Sequence, residues 1–84
     1  MILEISTRGS AYIRYRQGET VVAPQEEIGE EVLVDRNASG DVVGIEIVDV
    51  AVEESVNDAR RFAANLGLPF PRDIAAAARG AAIS

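Results

Sequence analysis

The sequence predicts a small α+β domain: a four-stranded antiparallel β-meander, packed on one face by a C-terminal helix and followed by a short second helix. Three observations predict it. Apolar and polar residues alternate over several short stretches up to Val48. Turn residues separate those stretches. After Asp49 the apolar spacing lengthens from the strand period of two to the helical period of 3.6. Residues 1–68 make up the β-meander plus helix domain in this reading, and residues 69–84 an Ala-rich helical tail.

The first strand spans residues 2–6, with Leu3 and Ile5 opposite Glu4 and Ser6. Thr7-Arg8-Gly9-Ser10 is a turn, and the second strand alternates from Ala11 to Arg16. So short a connection makes the two an antiparallel hairpin. Thr20-Val21-Val22-Ala23 is compatible with a short edge strand that Pro24 would end, and Gln25-Glu26-Glu27 reads as a solvated loop. The third strand is Glu31 to Arg36. Asn37-Ala38-Ser39-Gly40-Asp41 is the strongest turn signal, and Val42 to Val48 follows as the most apolar strand, which places it centrally.

Val52, Val56, Ala59, Phe62, Ala63 and Leu66 share one helical face. Ser55-Val56-Asn57-Asp58 resembles a capping box, which starts the helix at Ser55, although a start nearer Val52 is compatible; Gly67 stops it. The stripe should pack on the sheet face carrying Leu3, Ile5, Ile13, Val34, Ile45 and Ile47. Pro71-Arg72-Asp73 opens a second helix over Ile74 to Arg79, which either docks, on a second subunit for example, or frays.

The 84 residues carry 14 acidic and 8 basic side chains, net charge −6, with no Cys and no His. Disulfides and the commonest zinc and copper sites are therefore excluded. A chain this short has little core of its own, which favours a homodimer. The acidic balance disfavours nucleic acid and anionic membranes and suits a basic protein partner. No apolar run reaches membrane-spanning length, and the first residues lack the basic flank of a secretory leader; both point to a cytoplasmic location.

No catalytic, cofactor or metal residue stands out. Ser6, Ser10, Ser39, Ser55 and Ser84 fall at strand ends, turns, a cap and the terminus. The pairs Glu26-Glu27, Glu30-Glu31 and Glu53-Glu54 are neighbours in sequence and so point apart. Gly40 to Gly44 precedes a strand, so it builds no phosphate loop. Asp35, Asn37, Ser39 and Asp41 space their oxygens like a calcium loop, but a polar hairpin explains the same residues. The expectation is a protein that is not an enzyme and needs no cofactor.

The sheet face opposite the helix would present Glu4, Tyr12, Arg14, Arg16, Leu33, Asp35, Glu46 and Val48. As a solvated face it would hold cross-strand ion pairs, Arg14 with Glu4 or Glu46 among them. As an interface it offers Tyr and Arg anchors, so Tyr12, Arg14, Arg16, Leu33, Asp35, Glu46 and Val48 form a candidate partner-binding face. Two alternatives stay open. Glu46 and Asp35 beside Arg14 could serve a small-molecule binder or a carboxylate-based enzyme. Arg8, Arg14, Arg16 and Arg36 could form the basic patch of a DNA-binding antitoxin.

Ala11-Tyr12-Ile13-Arg14, the spaced Glu26-Glu27, Val32-Leu33-Val34-Asp35 and above all Gly40-Asp41-Val42-Val43-Gly44-Ile45-Glu46-Ile47-Val48-Asp49 resemble a family of small bacterial proteins, domain-of-unknown-function family number 2283. The resemblance covers about half of the chain, Ala11 to Asp49. Thr7-Arg8-Gly9-Ser10 replaces the acidic turn usual there, and the tail is longer than typical. The resemblance implies a fold and a partner role of the antitoxin type, and it carries over no known catalytic residues.

Overall fold

The computed structural model describes residues 1–83, apart from the side chains at positions 23 and 81–83; Ser84 lies outside the described residues. The chain forms β1 (Ile2–Ile5), β2 (Ala11–Arg14), β3 (Val22–Gly29), β4 (Val32–Arg36), β5 (Val42–Ile47), α1 (Glu53–Asn65) and α2 (Ile74–Ile83). All strand pairs are antiparallel, in the order β1-β2-β5-β4-β3. The α+β class, the antiparallel sheet and the two helices are as the sequence predicts.

The strand count is not. The sheet has five strands instead of four, because Pro24 and the expected loop Gln25-Glu26-Glu27 lie inside β3. The physical reason is position. β3 is an edge strand, so a missing proline donor costs it little. Its pairing to β4 is broken by register shifts between Val22 and Glu26 and between Glu27 and Gly29. Polar residues exposed at an edge blur the alternation that marks a buried strand. Nor is the sheet a simple meander: the chain leaves β2, crosses to the far edge and returns through β4 to seat β5 against β2. β5 is thus central, as its apolarity requires.

The core lies on one side of the sheet. Ile13, Val32, Val34, Ile45 and Ile47 are almost fully buried there, with Leu3 and Ile5 packed at its margin. α1 crosses β3, β4 and β5, and α2 lies against β1. Val56, Ala59 and Ala63 bring α1 onto the sheet. Gly29 lets it approach, since a Cβ there would come within 2.7 Å of an Asp58 carboxylate oxygen. Val52 and Leu66, two members of the expected stripe, are exposed because they flank the helix instead of belonging to it.

The helix starts at Glu53, and Ser55 is not its cap. Ser55 is 1% exposed, and its hydroxyl donates to the Glu30 carbonyl at 2.8 Å, tying α1 to the β3–β4 turn. The acidic pair Glu53 and Glu54 in the first turn complements the helix dipole. Gly67, at φ 69°, ends α1 in a Schellman motif: its N–H bonds the Ala64 carbonyl, and the Leu68 N–H bonds that of Ala63. Tyr15 anchors the linker beyond by donating to the Pro69 carbonyl at 2.7 Å. Asp73 caps α2 through the Ala76 N–H at 3.0 Å, and Ile74 and Ala78 join the core.

Candidate functional site: the helix-free sheet face

Directly opposed residues of an antiparallel sheet share a face. Register therefore builds two rows across the side that neither helix covers. One row runs Glu4, Tyr12, Glu46, Leu33, Glu27, and the next runs Ile2, Arg14, Gly44, Asp35.

The centre of the face is a crossing of strands by one side chain. The Tyr12 ring lies over Gly44 of β5, and its hydroxyl donates to Asp35 Oδ2 on β4 at 2.8 Å. A Cβ on Gly44 would collide with Cζ, Oη and Cε1 of that ring. Glycine in a central strand is otherwise unfavourable; here it leaves the floor on which the ring rests. Arg14 lies over the same ring, its guanidinium carbon 4.9 Å from the centroid. Arg14 in turn holds Glu4 through two hydrogen bonds of 2.9 and 3.3 Å. The chain Glu4–Arg14–Tyr12–Asp35 thus spans β1, β2, β5 and β4.

Electrostatics follow from that chain. Burial, then the hydrogen bond to Asp35, raises the Tyr12 phenol well above its ordinary value, so it stays a proton donor. The Arg14 hydrogen bond lowers the Glu4 carboxyl. Glu46 accepts a bond of 3.3 Å from the Gln25 amide. A shallow depression of about 410 Å³ opens beside these groups, lined by Glu4, Ser6, Ser10, Tyr12, Arg14 and Glu46. The Ser6 and Ser10 hydroxyls bond each other at 2.7 Å, and Ser6 Oγ also accepts two backbone N–H groups of the turn. Their post is structural.

Of the seven candidate residues, the structure joins Tyr12, Arg14, Asp35, Glu46 and Leu33 on this face. Arg16 leaves it: its guanidinium lies 3.2 Å from Glu19 and 3.5 Å from Asp41, at the loop end of the sheet. Val48 sits one residue past β5, exposed, with its N–H on the Glu31 carbonyl of the β3–β4 turn. Sequence reasoning missed Gln25 and Glu27, because both belong to the strand read as a loop. The role of Gly44 had one sequence signal, a glycine interrupting the most apolar strand.

The resemblance to a calcium loop dissolves. Asn37 Oδ1 accepts the Ser39 and Asp41 N–H groups at 3.0 and 2.9 Å, and its Nδ2 donates to Glu19 at 2.7 Å. Among the described residues no three acidic side chains gather as metal ligands, and no helix is long and apolar enough to cross a membrane.

Fold and face together define a small α+β domain with one side of its sheet uncovered. Residues 10–50, which hold β2 to β5 and the whole Tyr12–Gly44–Asp35 crossing, match the family model described as Protein of unknown function (DUF2283), a match that supports membership of this family. No curated protein and no solved structure matches the chain.

Proposed function

We propose that the chain is a non-enzymatic protein-interaction module whose helix-free sheet face receives a basic protein segment. One observation carries this reading. Both helices pack on the same side of the sheet, and the bare side presents the carboxylates of Glu4, Glu27 and Glu46, with that of Asp35 buried beneath Tyr12, against the guanidinium of Arg14. Arg14 is already engaged by Glu4. The acidic field attracts a cationic partner, and the half-buried Tyr12 and Leu33 supply the apolar contact an interface core needs. A small basic protein held in an antitoxin-type pair is one form such a partner could take.

The alternatives find less support. Tyr12 is held protonated and Asp35 is occupied by its hydroxyl, so neither is poised as a base. Arg14, Arg16 and Arg36 lie against Glu4, Glu19 and Glu26, which spends their charge on carboxylates instead of phosphates. Capture from the native host at physiological salt tests the proposal, with wild-type protein and the Glu27→Lys/Glu46→Lys double variant as baits. The expected result is a stoichiometric basic protein whose purified form binds wild type and loses binding to the variant. Recovery of no such protein, or equal binding by both baits, would overturn the reading.

A further inference from the structure

The two edges of the sheet are built differently. β3 is blunted by Pro24, by two register breaks and by the exposed Glu26 and Glu27, devices that discourage strand addition. β1 carries one exposed carboxylate, Glu4, but no proline and no register break: Ile2-Leu3-Glu4-Ile5 is regular over its length. The hydrogen-bond phase shows which groups β1 leaves open. The Ser6 N–H bonds the Ser10 carbonyl, and the Tyr15 N–H bonds the Val43 carbonyl on the other side of β2. Antiparallel ladders alternate, so Ile2 and Glu4 bond inward to β2, while the N–H and C=O of Leu3 and Ile5 point out of the sheet.

We infer that β1 pairs antiparallel with β1 of a second copy, joining two five-stranded sheets into one of ten. This goes beyond the proposed partner face and does not depend on it. Three registers bring outward-facing groups of β1 together, with the two-fold axis at Leu3, Glu4 or Ile5; the last sets Leu3 opposite Thr7 of the turn and so runs off the end of the strand. A two-fold axis at Glu4 would set Glu4 directly opposite its own copy, a like-charge pair that the ladder disfavours. An axis at Leu3 bonds Leu3 to Leu3 of the second copy and sets Ile2 opposite Glu4, with no charge clash.

The Leu3 register also keeps both sets of helices on the same side of the joined sheet. The two α2 helices, each lying against its own β1, then meet across the axis. α2 is suited to that approach, for its exposed residues include the small Ala76, Ala77 and Gly80 beside Arg79. A strand from an unrelated partner would bring no second α2 to cover them. Pairing of copies also supplies the buried surface that a chain of 84 residues lacks alone.

Sedimentation equilibrium of the full chain tests the inference, with far-UV circular dichroism reporting the fold. Wild type should sediment as a dimer. Leu3→Pro removes an outward donor that β2 does not use, and should give a folded monomer. Ile2→Glu, at an exposed position, would face Glu4 of the second copy twice and should raise the dimer dissociation constant about tenfold or more; Ile2→Arg should not. A wild-type chain that remains monomeric at its highest soluble concentration overturns the inference. So does a folded Leu3→Pro chain that stays dimeric, or an Ile2→Glu chain with unchanged dimer affinity.

Discussion

The two faces of this sheet use the same strands to opposite ends. On the helix side, Ile13, Ile45, Val34 and Ile47 are aliphatic and at most 1% exposed, with no polar group to satisfy. On the other side, position by position along the same backbone, stand Tyr12, Arg14 and Glu46, part-exposed and held by directional bonds, with Asp35 buried under the Tyr12 hydroxyl. The first face holds the molecule together through area removed from water, which is large and tolerant of geometry. The second contributes little net stability but fixes where each side chain stands. A surface whose groups are held in place without being needed for the core is one that can serve recognition.

The largest expected difference comes from removing aliphatic bulk on each side. Ile45→Ala should cost about 2–5 kcal/mol through lost burial and a residual cavity. Leu33→Ala should cost about 1 kcal/mol or less, as for a half-exposed position. Urea unfolding measures both, and equal losses would break the contrast between the faces.

A finer comparison concerns Gly44, where the faces meet at one residue. Gly44→Ala forces the Tyr12 ring off its floor and should cost about 1–3 kcal/mol. In a Tyr12→Ala background the same substitution meets no ring, so its cost should largely vanish in a double-mutant cycle. Additive losses would show that the clash is not the cause. Tyr12→Phe keeps the ring but leaves Asp35, 9% exposed, without its donor; about 1–2 kcal/mol should be lost.

The smallest effect is in pH. Tyr12 on one face and Tyr15 toward the other both have phenols raised above their ordinary value of about 10, chiefly by burial, Tyr15 to about 12. A raised phenol favours the neutral form in the folded chain. Its contribution is therefore complete below pH of about 10 and declines as the pH rises toward 12. Melting temperatures should be flat from neutral pH to about pH 10 and fall above it, and Tyr15→Phe should lessen the fall. A melting temperature that does not decline in that window would remove the argument.

Much of the inner face was legible in the sequence. Alternation at Ile13, Val34, Ile45 and Ile47 and the 3.6 spacing of Val56, Ala59 and Ala63 are local patterns, and burial enforces them. The turns at Gly9, Asn37 and Gly67 were legible for the same local reason. The outer face was legible only as a roster. Parity placed Tyr12, Arg14, Leu33, Asp35 and Glu46 on one side, but parity says nothing about distance across strands.

What the sequence by itself determined is thus the class, α+β with an antiparallel sheet, the composition of each strand face, and the acidic charge. Those follow from backbone periods and from side-chain chemistry, which need no partner strand. Tertiary structure alone decided that β3 runs on through Pro24 to Gly29, since an edge strand needs a neighbour more than it needs a pattern. It decided that β5 lies between β2 and β4, because chain order does not dictate strand order. And only that placement put Gly44 beneath the Tyr12 ring, turning a gap in an apolar strand into the support of the polar face.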